Sequence, residues 1–350
     1  MIETFDGRHI APELGALTGE GSLQKIDTTS EAYPTRTSVW RDLPSHSYQE
    51  EPTYYDRPVL KEPVWIWTVP TYFYVGGTAG AAALLAATAQ ALGGDELHGL
   101  VKASRWIAAV GGGVGSALLI TDLGRPERFL HMLRVIRPTS AMSLGSWVLA
   151  GAASATMGSA LLSDRQGFLG RLGHFAGYTA ALLGMPLAGY TAVLLGNTAV
   201  PVWKATRRGL PHLFIGSAVS GLAALFGLLP VDLSPREATI VERFGVAGKV
   251  IDLTAMAVVG REAERADPVV GRPLREGLSG TLWKAARAMT AASLVLSLLP
   301  GRSRARRAAS GLIGTAGALT LRFAVFHAGK ASARDPRATF RPQRRRLKDR

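Results

Sequence analysis

Polar and apolar positions in this chain are segregated over long distances rather than alternating within short elements. No formal charge occurs in the 32 residues between Glu62 and Asp95, the 26 between Arg137 and Asp164, the 32 between Arg171 and Lys204, or the 23 between Arg208 and Asp232. About 20 apolar residues in a helix cross a ~30 Å hydrocarbon layer, so runs of this length predict membrane spans. The pattern predicts eight, at about 65–92, 105–121, 141–162, 174–196, 212–230, 239–260, 281–300 and 308–328. The last three carry charges inside them. Gly and Ala crowd the apolar runs, as at Gly111, Gly112, Gly113 and Gly115, or Gly145, Gly151, Ala152 and Ala153. Small residues let helices approach closely where no hydrophobic force acts between them. The expected fold class is an all-α integral membrane protein, eight transmembrane helices in a polytopic bundle, preceded by an extended N-terminal arm.

The ends explain a mean hydropathy of only +0.15. Residues 1–64 hold 11 acidic and 6 basic residues, five prolines from Pro34 to Pro63, and no apolar run. This predicts neither a signal peptide nor a span. Tyr33, Trp40, Tyr48, Tyr54 and Tyr55 are too many aromatics for a plain disordered tail. The arm either covers the protein's own membrane face or docks a partner. The expected division is thus an arm 1–64, an eight-helix domain 65–329 and a basic tail 330–350.

Eight spans put both termini on one side with the second, fourth and sixth loops. Counting from the second loop onward, that side carries 20 Lys and Arg residues and the opposite side 9. The positive-inside rule then places both termini in the cytoplasm of a multi-pass plasma membrane protein. The formal net charge of +14 follows from topology and anionic lipid, with no nucleic acid partner required. The chain has no Cys, so disulfides, thiolate zinc sites and iron–sulfur ligation are excluded.

The most specific stretch is LLITDLGRPERFLHMLRVIRPTSAMSLGSW, Leu118 to Trp147. Asp122 ends a helix, Gly124 and Pro126 make a turn, and Arg125, Arg128 and Arg134 array guanidinium groups at the surface. By chemistry alone this is a structural clamp or an anion site. Here the sequence resembles the NrfD-type membrane subunits of the polysulfide reductase family, quinone-handling anchors of molybdopterin and iron–sulfur oxidoreductases. Trp65-Ile-Trp67 with Tyr72-Phe73 is similar to the family's first helix. Gly189-Tyr190-Thr191 and Pro201-Val-Trp203 are similar to its fourth.

The resemblance implies a quinone headgroup, menaquinone or ubiquinone, between the start of the first helix and the later part of the fourth, where an iron–sulfur subunit docks. It puts Tyr190 on the tyrosine that hydrogen-bonds a quinone carbonyl, with Tyr72, Val69 and Trp67 beside it. Val69 and Tyr72 stand where polysulfide reductase supplies an Asn and a His, which is a departure from the pattern. The predicted spans set Tyr72 and Tyr190 at one depth, roughly 9 to 11 Å below the same surface at 1.5 Å per residue. The alternative for both is the interfacial aromatic belt.

Charges inside spans form a second constellation. Glu242, Lys249 and Asp252 share one face of a helical wheel, and Lys284, Arg287 and Arg322 on later spans are candidate partners. Such charges face a bundle interior, a water-filled cavity or an opposite charge. They form either a proton route, through Glu242, Lys249, Asp252, Arg287 and Arg322, or a structural ion-pair network. Only His212 and His327 are candidates for haem axial ligation, so neither haem nor an iron–sulfur cluster is expected in this chain. The expected function is the quinone-reactive subunit of a respiratory oxidoreductase, rather than an enzyme alone. Its expected partners are a ferredoxin-like iron–sulfur subunit and a molybdopterin or other catalytic subunit. A secondary transporter is the alternative, although repeated halves with broken helices are not evident in the sequence.

Overall fold

The computed structural model describes residues 10–11, 16–17, 58–123, 126–134, 136–300 and 303–348. Apart from a two-residue antiparallel pairing of Ile10–Ala11 with Ala16–Leu17, it is helical. The remainder of the predicted N-terminal arm up to residue 57 lies outside the described residues.

Eight long helices follow one another: α1 Thr68–Gly93, α2 His98–Asp122, α3 Ala141–Leu162, α4 Gly167–Gly196, α5 Gly209–Leu228, α6 Pro235–Ala266, α7 Gly277–Leu298 and α8 Arg304–Arg334. Three of the starts are specified locally. Ser140 and Ser303 accept from the backbone N–H groups of Ser143 and Arg306. Ser234 and Glu237 form a reciprocal capping box, with Pro235 at the first helical position of α6. Short helices Pro201–Ala205 and Pro336–Lys348 flank the bundle.

Among the described residues four helical stretches are long and apolar enough to cross a membrane: Thr68–Asp122, which joins α1 to α2, then Gly167–Gly196, Gly209–Leu228 and Arg304–Arg334. The third predicted span, 141–162, is helical, but Ser, Gly, Thr and Trp dilute its hydropathy. Charges dilute α6 and α7. The eighth qualifies despite its charges.

In the first half α1 packs on α2 and α4, and α3 packs on α2 and α4. In the second half α5 packs on α6 and α8, and α7 packs on α6 and α8. The same neighbour order therefore occurs twice. The halves meet where α5 lies against α1 and α4, and α8 against α1. Both use glycine at the crossing that closes the set. A Cβ on Gly184 would come 2.9 Å from the Gly80 carbonyl oxygen between α1 and α4, and one on Gly311 would come 2.7 Å from the Ala224 carbonyl oxygen between α5 and α8. Backbones that close leave no room for a side chain.

Candidate functional site

The antiparallel order gives the bundle two ends. The starts of α1, α3, α5 and α7 share one end with the C-termini of α2, α4, α6 and α8, and both tyrosines lie near it. Tyr72 is four residues into α1, about 6 Å of rise, and Tyr190 is six before the end of α4, about 9 Å. The observed helix start shortens the Tyr72 depth expected from sequence.

Each ring occupies a shelf left by a glycine. Tyr72 is buried, 6% exposed, and a Cβ on Gly115 of α2 would come 3.3 Å from its ring. Tyr190 is half-buried on α3, where a Cβ on Gly145 would come 2.7 Å from its ring; the Gly145 backbone is its hydrogen-bond partner. The two tyrosines thus lean on different helices. Tyr72 belongs to an apolar cluster that also contains Val69, Leu149 of α3 and Leu187 of α4, with Leu118, Leu119, Val148 and Leu183 partly buried at its edge. Trp67 precedes α1 and is 61% exposed, so it stands at the rim rather than in the wall.

Around this end the protein is tied down by contacts that no local pattern announces. The Asp122 carboxylate accepts from the Thr68 hydroxyl at 2.9 Å and from the Ile66 N–H at 3.5 Å. It ties the segment before α1 and the Thr68 side chain to the end of α2. Trp65 stacks on Trp203, ring centroids 6.1 Å apart, and Trp203 donates its indole N–H to the Val325 carbonyl at 2.9 Å. Glu62 binds Arg334 at 2.6 Å and Lys330 at 3.2 Å. The segment before α1, the Pro201–Ala205 helix and the end of α8 therefore form one clamp. Pro126 opens a 3₁₀ helix, Pro126–Leu133, and Arg134 is exposed. Arg125 and the Arg128 side chain lie outside the described residues. A basic groove of about 450 Å³ at this end is lined by Lys204, Arg207, Arg208 and Arg265 around Glu262.

The charges expected inside the later spans separate. Lys249 is buried and donates to Ser293 O at 3.2 Å, Ser297 Oγ at 2.7 Å and Ser310 Oγ at 3.4 Å. It borders a cavity of about 100 Å³ at the far end of the bundle, whose lining includes Glu242, Arg306 and Arg307. Glu242 is exposed at that cavity. Asp252 and Arg322 are fully buried. The Arg322 guanidinium lies 3.8 Å over the Phe214 ring and donates to the Phe214 carbonyl at 2.9 Å. Lys284 and Arg287 are exposed on α7 and are not brought to Asp252. His212 is exposed and bonded to the Arg208 carbonyl at 2.9 Å; His327 packs against Phe323 and Phe326.

At the far end of the first half, Arg105 of α2, Gln90 of α1 and His174 of α4 bond to one another. Nearby, Lys102 and Asp164 pair at 2.7 Å. The Lys102 hydrogen bond holds the Asp164 carboxyl below the ordinary carboxylate range. Sequence reasoning did not single out this cluster, because one Arg, one Gln and one His on three helices leave no local signature.

A model of the NrfD-type polysulfide reductase family matches residues 53–334. The protein is also similar to the C subunit of polysulfide reductase from Wolinella succinogenes, 34% identical over 85 residues, which is 23% of the present sequence and 27% of that subunit. The match thus spans about a quarter of the curated relative.

Proposed function

The chain belongs to the polysulfide reductase family of NrfD-type membrane subunits, and on that premise we propose that it binds quinone or quinol within a respiratory oxidoreductase complex. Electrons pass to or from an iron–sulfur partner subunit, with a molybdopterin or other catalytic subunit beyond it. All eight helices span the plasma membrane, and both termini face the cytoplasm. The observation that carries this reading is the pair Tyr72 and Tyr190, set on glycine shelves at one end of the bundle, with Tyr72 in an apolar cluster that reaches Leu149 of α3 and Leu187 of α4.

The residues there suit a flat, mostly apolar ring with carbonyl edges. Val69, Leu149 and Leu187 supply apolar surface, while the Tyr190 phenol supplies a donor and keeps its Gly145 backbone contact as an anchor. Tyr72 is a packing residue and a secondary donor, and exposed Trp67 sits at the entrance. A bound quinone supplies two-electron, two-proton chemistry, which this protein's own side chains lack. The protein's part is to hold the ring, exclude water with the Leu and Val edge, and carry protons. For the last task Lys249, Asp252 and Arg322 are the buried groups, with Glu242 at the cavity; exposed Arg287 is peripheral to them.

The test is Tyr190→Phe, measured as quinone-dependent turnover in membranes with subunit assembly verified. Losing one hydrogen bond costs about 1 kcal/mol, and up to about 3 if a partner is left unsatisfied, so turnover or quinone affinity should fall roughly 5-fold to 100-fold. Tyr72→Phe should lose less. Parent-like kinetics for Tyr190→Phe with a severe defect in Tyr72→Phe would move the site from α4 to α1.

A further inference from the structure

Where α1 meets the second half of the bundle lie buried polar groups that the quinone site does not use. Tyr74 and Thr78 of α1, Ser217 of α5, Asp252 of α6, and Thr315 and Arg322 of α8 each expose side-chain oxygen or nitrogen atoms inward with no hydrogen bond of normal geometry among the described residues. For Asp252 this holds for both carboxylate oxygens, and for Arg322 it holds for Nε and Nη1. Five of the groups are neighbours, and Ser217 lies one turn before Ser220 on α5. Tyr74 stands beside Thr78 and Thr315 in the field of Arg322, and Arg322 lies in the field of Asp252 without a salt bridge between them. Ser220 of α5 also faces Asp252, but its hydroxyl donates to the Ser217 carbonyl at 3.1 Å.

A dry carboxylate and a dry guanidinium would each cost several kcal/mol. Native interiors meet such demands with ordered water that makes two to four hydrogen bonds, and polar groups beyond direct reach are bridged in the same way. The cluster also has an approach. Lys249 lies one turn from Asp252 on α6, about 4.5 Å of rise nearer the far end, and borders the cavity that Glu242, Arg306 and Arg307 line there. α7 contributes only Ser293 and Ser297 at Lys249. In the other direction, a Cβ on Gly77 would come 3.5 Å from Arg322 Nη2. Tyr72 is on the same helix, roughly 7.5 Å nearer the site end.

We infer that Tyr74, Thr78, Ser217, Asp252, Thr315 and Arg322 enclose a hydrated, proton-holding chamber filled from the far face of the membrane through the Glu242–Lys249 cavity. The Asp252 carboxyl is the proton store and Arg322 its fixed counter-charge. In delivery the carboxyl O–H bond breaks and its proton bonds to a chamber water, leaving a carboxylate. In reloading that carboxylate takes a proton from water in the far-side cavity. Only the destination of the proton, toward Tyr72, rests on the quinone reading. In the direction of quinone reduction, turnover thereby draws protons from the far side rather than from the side on which the tyrosines lie.

The experiment has two arms on the intact protein. Infrared spectroscopy of the purified subunit should show a protonated carboxyl band that shifts in D₂O and is missing in Asp252→Asn. In the native complex reconstituted in vesicles and driven toward quinone reduction, turnover should take protons from the far side. Asp252→Asn should lower turnover at least roughly tenfold with quinone KM unchanged, Asp252→Glu should restore part of it, and Thr315→Val should slow it without altering any charge. Loss of the band in a normally assembled Asp252→Asn subunit supports the chamber, even if Tyr190→Phe proves silent and the quinone site is misplaced. A D₂O-insensitive spectrum, parental turnover of Asp252→Asn, or proton uptake from the tyrosine side would overturn it, whatever the tyrosine variants do.

Discussion

Gly329 in α8 offers a sharp test of the clamp that closes the tyrosine end. A Cβ placed there would overlap the indole of Trp203, with Cζ2, Cε2 and Nε1 all in the way. The indole has little freedom to yield, because Trp203 is 1% exposed, stacks on Trp65 at 6.1 Å, and donates to Val325 O at 2.9 Å. The main chain next to it is also held, with Val202 N–H bonded to Ser332 Oγ at 3.1 Å. Forcing a methyl into such a site costs about 1 to 3 kcal/mol. A displaced indole would lose its hydrogen bond and leave the carbonyl unpaired, about 1 kcal/mol or more. The helix propensity of Ala returns at most about 1 kcal/mol. Gly329→Ala should therefore destabilise the subunit by a net ~1 to 3 kcal/mol, read by unfolding in mild detergent. Gly113→Ala is the control, since a Cβ on Gly113 of α2 meets nothing within 4 Å; it should be neutral or stabilising. Trp203→Phe combined with Gly329→Ala should recover part of the loss, a coupling of at least ~0.5 kcal/mol between touching residues. Equal stability for Gly329→Ala and Gly113→Ala would refute the clamp.

Two further outcomes follow from contacts at the two ends. Asp122→Ala should cost about 0.5 to 1.5 kcal/mol, the net value of the hydrogen bond lost from the Thr68 hydroxyl, and should speed hydrogen exchange around Ile66 and the start of α1; Asp122→Asn should retain most of the protection, and unchanged exchange in the Ala variant would remove the anchoring role. Asp164, held below the ordinary carboxylate range first by the Lys102 hydrogen bond, contributes stability that is present above the unfolded carboxyl value of 3.8 and is lost as pH falls through the folded one. Asp164→Asn should therefore flatten the acid limb of a stability-versus-pH curve and lower the plateau slightly, the pair being largely exposed; an acid limb identical to the parent's would show the pair to be inert.

Helices α1, α3, α4 and α5 were legible because a long uncharged run covers most or all of each, whereas α2, α6, α7 and α8 were read through the charges they carry. The predicted spans fall on the eight observed helices, and the capping serines and Pro235 mark starts that hydropathy blurs. The faces were legible only where one helix carries the whole signal. The wheel of α6 groups Lys249 with Asp252, and both are buried; Glu242, on the same face but near the helix end, emerges at the cavity. Arg287 shows the limit, because its outward direction depends on how α7 rotates against α6 and α8, and no residue near it encodes that. Asp122 with Thr68, and Trp203 with Gly329, are unions of distant segments whose members look ordinary alone. The repeated neighbour order sharpens the point. The two halves share a backbone plan, yet among the described residues the only buried charge of the first is Arg105, tied to Gln90 and His174, whereas the second buries Lys249, Asp252 and Arg322 at its centre. One scaffold with an apolar interior near two tyrosines, and a second copy with an ionic one, is the arrangement expected when ring binding and proton handling are divided between halves. Exchanging the two characters, by placing a charge at Leu149 or removing the carboxyl at Asp252, should then impair different steps.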